Sequence, residues 1–174
     1  MPNDPSAPSA ADSAVPVVVI VGRPNVGKSS LLNALARRRI AIVDPTSGVT
    51  RDRVATLIEH EDGMFELWDT GGIGIVDEQE IAEEVETQID VALHSADVIL
   101  FVVDAMAGYD EIDHGIARRL HRLERPVLLV ANKVDEAKQE LALPELERLG
   151  LGAASPVSAL HRTGCHALTE RIIA

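Results

Sequence analysis

Five β-branched residues, Val17-Val18-Val19-Ile20-Val21, run directly into Gly22-Arg23-Pro24-Asn25-Val26-Gly27-Lys28-Ser29, and a helix-prone stretch follows from Ser29 to Arg38. An unbroken apolar strand has no polar face, so it belongs in the middle of a parallel sheet covered on both sides. The segment between strand and helix matches G-x-x-x-x-G-K-[ST], the pattern of a phosphate-binding P-loop, in the context that the pattern requires.

Gly22 and Gly27 allow the backbone to turn successive amides, those of Val26, Gly27, Lys28, Ser29 and Ser30 among them, toward a polyphosphate. The helix beginning near Ser29 adds the positive end of its dipole. Lys28 is placed to reach β and γ phosphates, and the Ser29 hydroxyl to ligate a Mg²⁺ ion bridging the same oxygens.

Further apolar runs at Asp97 to Asp104 and Pro126 to Asn132, and a shorter one at Ser155 to Ser158, predict additional strands. Val54 to Ile58 and Met64 to Asp69, separated by an acidic turn, predict an antiparallel hairpin at one edge of the sheet. Ile81, Val85, Ile89 and Leu93 recur at helical spacing, as do Ile116, Leu120 and Leu123, and a short last helix is expected around Leu168 and Ile172. Strands alternating with helices imply an α/β fold: a mostly parallel sheet with one antiparallel edge strand and helices on both faces.

Two further strings carry chemistry. Asp69-Thr70-Gly71-Gly72 follows a predicted strand, so the Asp69 carboxylate emerges where α/β sheets bind ligands and can partner Mg²⁺ indirectly; Gly72 can offer its N–H to a γ-phosphate. Asn132-Lys133-Val134-Asp135 closes another strand. The Asp135 carboxylate can accept from both N1–H and the N2 amino group of guanine, donors that adenine lacks. Lys133 can lay its stem along the base, Asn132 can tie the base loop to the phosphate loop, and the amides of Ser158 and Ala159, with Leu160 after them, can face guanine O6.

The formal charge of -12 works against nonspecific nucleic-acid binding, and Arg37-Arg38-Arg39 alone does not reverse that. Cys165 is the sole cysteine, which excludes an intramolecular disulfide and fits a reducing, cytoplasmic compartment. The six histidines show no zinc spacing, and no apolar run is long enough to span a bilayer. Residues 1–16, rich in Pro, Ala and Ser, are expected to be a disordered tail, leaving one domain over 17–174.

With these motifs in order, the chain resembles the translation-factor-related, Era-like GTPases, and among them the first G domain of the bacterial ribosome-assembly Der (EngA) family. The resemblance is carried by GRPNVGKSSLLNAL, RIAIVDPTSGVTRDR, WDTGGI, DVILFVVDAMAG, VANKVD and the Ser-Ala pair, and covers about Val17 to Leu168. It implies that Thr50 closes over Mg²⁺ in the triphosphate state and that Asn25 helps to hold K⁺ near the phosphates. Ile73 stands where Ras-like relatives carry a water-orienting Gln. Members of this family carry a second G domain and a KH-like domain, so the chain is expected to correspond to a first domain, with ribosomal contact made through the others. Leu160 to Cys165 departs from the His-Gly-x-Gly type of sequence expected after the Ser-Ala pair.

The reading that follows is a GTP-binding switch that hydrolyses GTP to GDP and phosphate with Mg²⁺ and K⁺, slowly, in large-subunit assembly. A regulatory guanine-nucleotide module with negligible turnover is the alternative.

Overall fold

The computed structural model describes residues 14–36, 40–41, 54–71 and 78–174. Its sheet contains β1 (Val17–Val21), β2 (Ile40–Ala41), β3 (Val54–His60), β4 (Gly63–Asp69), β5 (Val98–Asp104), β6 (Val127–Asn132) and β7 (Ser155–Pro156), in the order β2-β3-β4-β1-β5-β6-β7. From β4 through β7 neighbouring strands are parallel, while β3 runs against both β4 and β2. The expected hairpin is thus present, although β2, which no sequence pattern announced, continues the sheet beyond it.

The helices are α1 (Lys28–Leu35), α2 (Glu78–Ser95), α3 (Glu111–Leu120), α4 (Leu143–Leu146) and α5 (Cys165–Ile173). The sheet parts the core in two. Val18 and Ile20 of β1 point to the side where Leu31, Leu32 and Leu35 of α1 pack with Leu168 and Ile172 of α5. Val19 and Val21 point to the other, against Ala92 of α2, Ile116 and Leu120 of α3, and Leu146 of α4. Both faces of β1 are therefore dry, which is why its sequence shows no alternation. Each fully buried leucine of these layers contributes about 1.5–3 kcal/mol through burial.

α3 differs from its sequence reading: it starts five residues earlier than Ile116 and stops at Leu120, and its start is the informative end. Asp110 caps it, accepting through Oδ1 from the amides of Ile112 (2.9 Å) and Asp113 (3.1 Å), while Asp113 Oδ2 accepts from the Asp110 amide at 3.0 Å. The same Asp113 oxygen accepts from Arg23 Nε at 2.9 Å, and Arg23 Nη2 donates to Gly108 O at 3.1 Å. The cap of α3 and the start of the Gly22–Ser29 loop are therefore one network.

Burial pushes the Asp113 carboxyl up to about 6, only partly opposed by the Asp110 amide and by Arg23. A carboxyl raised on folding binds more protons in the folded chain. Its favourable contribution is present at low pH and is lost as pH climbs from the unfolded value of about 3.9 through the folded one. Asp113→Asn resembles the protonated side chain and should gain melting temperature relative to the parent between about pH 4.5 and about pH 7.5. A difference between the two melting curves that does not move with pH would contradict this assignment.

Candidate nucleotide site

β1, β4, β5 and β6 end side by side, and at their carboxyl ends stand the loop from Gly22, Asp69, Asp104 and Asn132. Ile20 pairs in register with Asp69, and Asp104 with Asn132. Four sequence-distant segments are thereby delivered to one edge, as open α/β sheets do at ligand sites.

The Gly22–Ser29 loop is held by its carbonyls. Lys28 Nζ donates to Gly22 O and Arg23 O, both at 2.9 Å; Lys133 Nζ donates to Asn25 O at 2.7 Å; Asn132 Nδ2 donates to Val26 O at 2.9 Å. With these acceptors engaged by Lys28 at the loop's own end and by Lys133 and Asn132 from the neighbouring strand end, the amides from Val26 onward are the groups left to meet an anion. Asn25 and Gly27 take positive φ, 68° and 93°. At Gly27 a side chain is barred twice: by that conformation, and because a Cβ would lie 2.3 Å from Asn132 Nδ2.

Lys28 is buried, and desolvation lowers its pKa against the opposing pull of Glu84, Asp69 and Asp113. An anion placed at its ammonium would restore what burial removes. Beside it, Ser29 Oγ donates to Asp69 Oδ2 at 2.6 Å, and Asp69 Oδ1 accepts from the Gly71 amide at 2.9 Å. A hydroxyl and a carboxylate this close form an all-oxygen pair suited to a hard divalent cation such as Mg²⁺. Thr70, buried, anchors this strand end by donating to Ile20 O at 3.1 Å.

On the other side, Asp135 Oδ1 accepts from Ser158 Oγ at 2.6 Å, and Ser158 Oγ accepts in turn from the His161 amide at 3.0 Å. Asn132 Oδ1 accepts from the Ala159 amide at 3.1 Å. The Ser-Ala pair therefore differs from its sequence reading: the Ser158 amide donates to Thr163 O at 3.0 Å and the Ala159 amide to Asn132, while Leu160 beyond them is exposed. An acceptor such as guanine O6 would meet Leu160 or share the Ala159 amide. Lys133, with φ 66°, also pairs with Asp104 at 2.7 Å.

Three functional-site residues escaped the sequence reading. Burial would raise the Asp104 carboxyl, but Lys133 and the amides of Ala107 and Met106 prevail and hold it below its ordinary value. Gln88, buried on α2, accepts from the Gly22 amide at 2.9 Å. Arg23 ties the loop to Asp113. Asp104 does end an apolar strand as Asp69 does, a signal that was available; Gln88 lies inside an amphipathic helix and gives none. Thr50, Gly72 and Ile73 lie outside the described residues, as do Arg37 to Arg39. Exposed Asn25, Ser29 and Ser30 sit on the open side of the loop.

Comparison with known proteins gives the family. The chain is similar to GTPase Der of Rhodopirellula baltica, 56% identical over 144 residues, which is 83% of this chain and 32% of that protein. It spans about a third of the length of the curated relatives it matches. A variant of Aquifex aeolicus Era bound to GDP and AlF4⁻ has a TM-score of 0.72 at 34% identity, covering 91% of this chain and 56% of that one. Era in complex with MgGDPNP and a segment of 16S ribosomal RNA has a TM-score of 0.69 at 32% identity, covering 91% and 56%. The family described as 50S ribosome-binding GTPase matches residues 17–133, a span that begins with β1, takes in the whole phosphate loop and ends at Lys133. The chain belongs to that family of 50S ribosome-binding GTPases.

Proposed function

We propose that the chain binds GTP with Mg²⁺ and hydrolyses it to GDP and phosphate, slowly and with stimulation by K⁺, as a switch in assembly of the large ribosomal subunit. The observation that carries this reading is Asn132, at the start of the Asp135 loop, whose carboxamide donates to Val26 O of the phosphate loop and accepts from the Ala159 amide, beside the Ser158 hydroxyl that donates to Asp135. A phosphate cradle and a carboxylate able to read a base edge are thereby held at one fixed separation.

In this reading the amides of Val26, Gly27, Lys28, Ser29 and Ser30 take the β-phosphate, and Lys28, already hydrogen-bonded to two loop carbonyls, directs its remaining proton to the β and γ oxygens. Ser29 and Asp69 would hold the divalent ion, directly and indirectly, and Thr50 would complete its shell. The ion would supply positive charge to the phosphates. Asp135 accepts from guanine N1–H and N2, Lys133 covers the base, and O6 meets the amides of Ala159 and Leu160. Water adds in line to the γ-phosphorus as the bond to the GDP oxygen breaks, and the Gly72 amide loses its partner when phosphate leaves.

Asn25 supports the K⁺ part. Its backbone is fixed by Lys133 on its carbonyl and by its left-handed conformation, while its side chain is exposed beside the cradle. A monovalent cation held there would offset developing negative charge where no Gln side chain stands at position 73. The ribosomal contact would be made through parts of the longer relatives that this chain does not span, in the cytoplasm. No helix among the described residues is long and apolar enough to cross a membrane.

Turnover of Mg-GTP by the chain in matched K⁺ and Na⁺ buffers tests the reaction. Faster phosphate release in K⁺ is expected, with Asn25→Ala abolishing the difference between salts. Equal rates in the two salts would remove K⁺ from the account, and saturable binding without phosphate release would remove hydrolysis. Competition binding tests the base reading. Asp135→Asn should weaken GTP by about a hundredfold or more and shift preference toward xanthine nucleotides, because an amide can donate to the xanthine 2-oxo group. An unchanged order of GTP and XTP would contradict guanine recognition by Asp135.

A further inference from the structure

The phosphate loop has a neighbour that the proposed reaction leaves unused. One turn apart on α2, Gln88 and Glu84 lie against it: Gln88 Oε1 accepts from the Gly22 amide at 2.9 Å, and Gln88 Nε2 donates to Glu84 Oε1 at 3.1 Å. Glu84 Oε2 is shielded from solvent. A Cβ placed on Gly71 would lie 2.9 Å from Lys28 Cε, 3.2 Å from Asp69 Oδ1 and 3.6 Å from Glu84 Oε1. Lys28, Asp69 and Glu84 thus converge on one point, next to the glycine that precedes Gly72.

We propose that Glu84 is a specificity-determining residue that sets the preference between triphosphate and diphosphate, because its carboxylate competes with the terminal phosphate for Lys28. The inference rests on the GTP reading above. Asp69 has a cation of its own to serve in that reading, whereas Glu84 has no such role. A γ-phosphate drawn to Lys28 brings negative charge toward a carboxylate partly withdrawn from water, where repulsion is stronger than in bulk solvent. A diphosphate brings less. Because Gln88 links Glu84 to the Gly22 amide, relieving that repulsion also bears on the contact between α2 and the loop, which gives the triphosphate a differential effect on α2.

Dissociation constants for Mg-GDP and for a Mg-bound, non-hydrolysable GTP analogue, measured on the parent chain, Glu84→Gln and Glu84→Lys, test this. Glu84→Gln keeps an acceptor for Gln88 and removes the charge. The analogue-to-GDP affinity ratio is expected to rise about fivefold in Glu84→Gln and further in Glu84→Lys, with GDP affinity within about twofold of the parent. Melting curves of the variants establish that each is folded. An unchanged ratio in both variants, or an equal gain for both nucleotides, overturns the role given to Glu84 and leaves the nucleotide reading standing. A parent chain that binds neither nucleotide overturns that reading, and Glu84's role with it.

Discussion

Most of what this structure offers chemically depends on which groups hold the phosphate loop from behind. Four consecutive or near-consecutive carbonyls, of Gly22, Arg23, Asn25 and Val26, are taken by Lys28, Lys133 and Asn132. A backbone whose acceptors are engaged on one side presents its donors on the other, and that, more than its glycines alone, suits the loop to the anion proposed for it. Gly27 is needed because the Asn132 amide occupies the space a Cβ would take.

The same donors connect the loop to everything around it. Asn132 passes the restraint to Ala159, Lys133 passes it to Asp104, and Arg23 passes it to the cap of α3 through Asp113. Each link has one end at a strand end or in the first turn of a helix, Asn132, Asp104 and Asp113 respectively, so the rigidity of the two-sided core is transferred to residues that themselves lie in loops. The buried Asp113 is the costly member of this set. Its desolvated carboxylate is held only by Arg23 and one amide, with Oδ1 lacking a hydrogen-bond partner among the described residues.

The chain's fold was legible where one local pattern decided it. The unbroken Val17–Val21 run, the glycine and lysine spacing after it, and apolar runs ending in Asp69 and Asn132 located the central strands and the site edge. The helix of α2 was legible from its spacing, but Gln88 and Glu84 were not, because a polar residue at a helix position shows nothing of the loop that another strand brings beside it. β2 and the short helical turns between Ala137 and Leu149 were missed for a related reason: two paired residues or a single turn are too short to establish a period. For the Ser-Ala pair, order along the chain identified the place, while the acceptors that already occupy its amides, Thr163 O and Asn132 Oδ1, depend on tertiary contact.

In the proposed function one site, joined through Asn132, reads a guanine base and a polyphosphate together. Calorimetric titration of the chain with Mg-GDP and Mg-ADP under identical conditions tests it most directly. Saturable GDP binding, with ADP weaker by about a hundredfold or more, is the predicted result, since adenine leaves the Asp135 carboxylate without its donors. Equal affinity for the two would show that the phosphate loop binds alone and that Asp135 does not read the base.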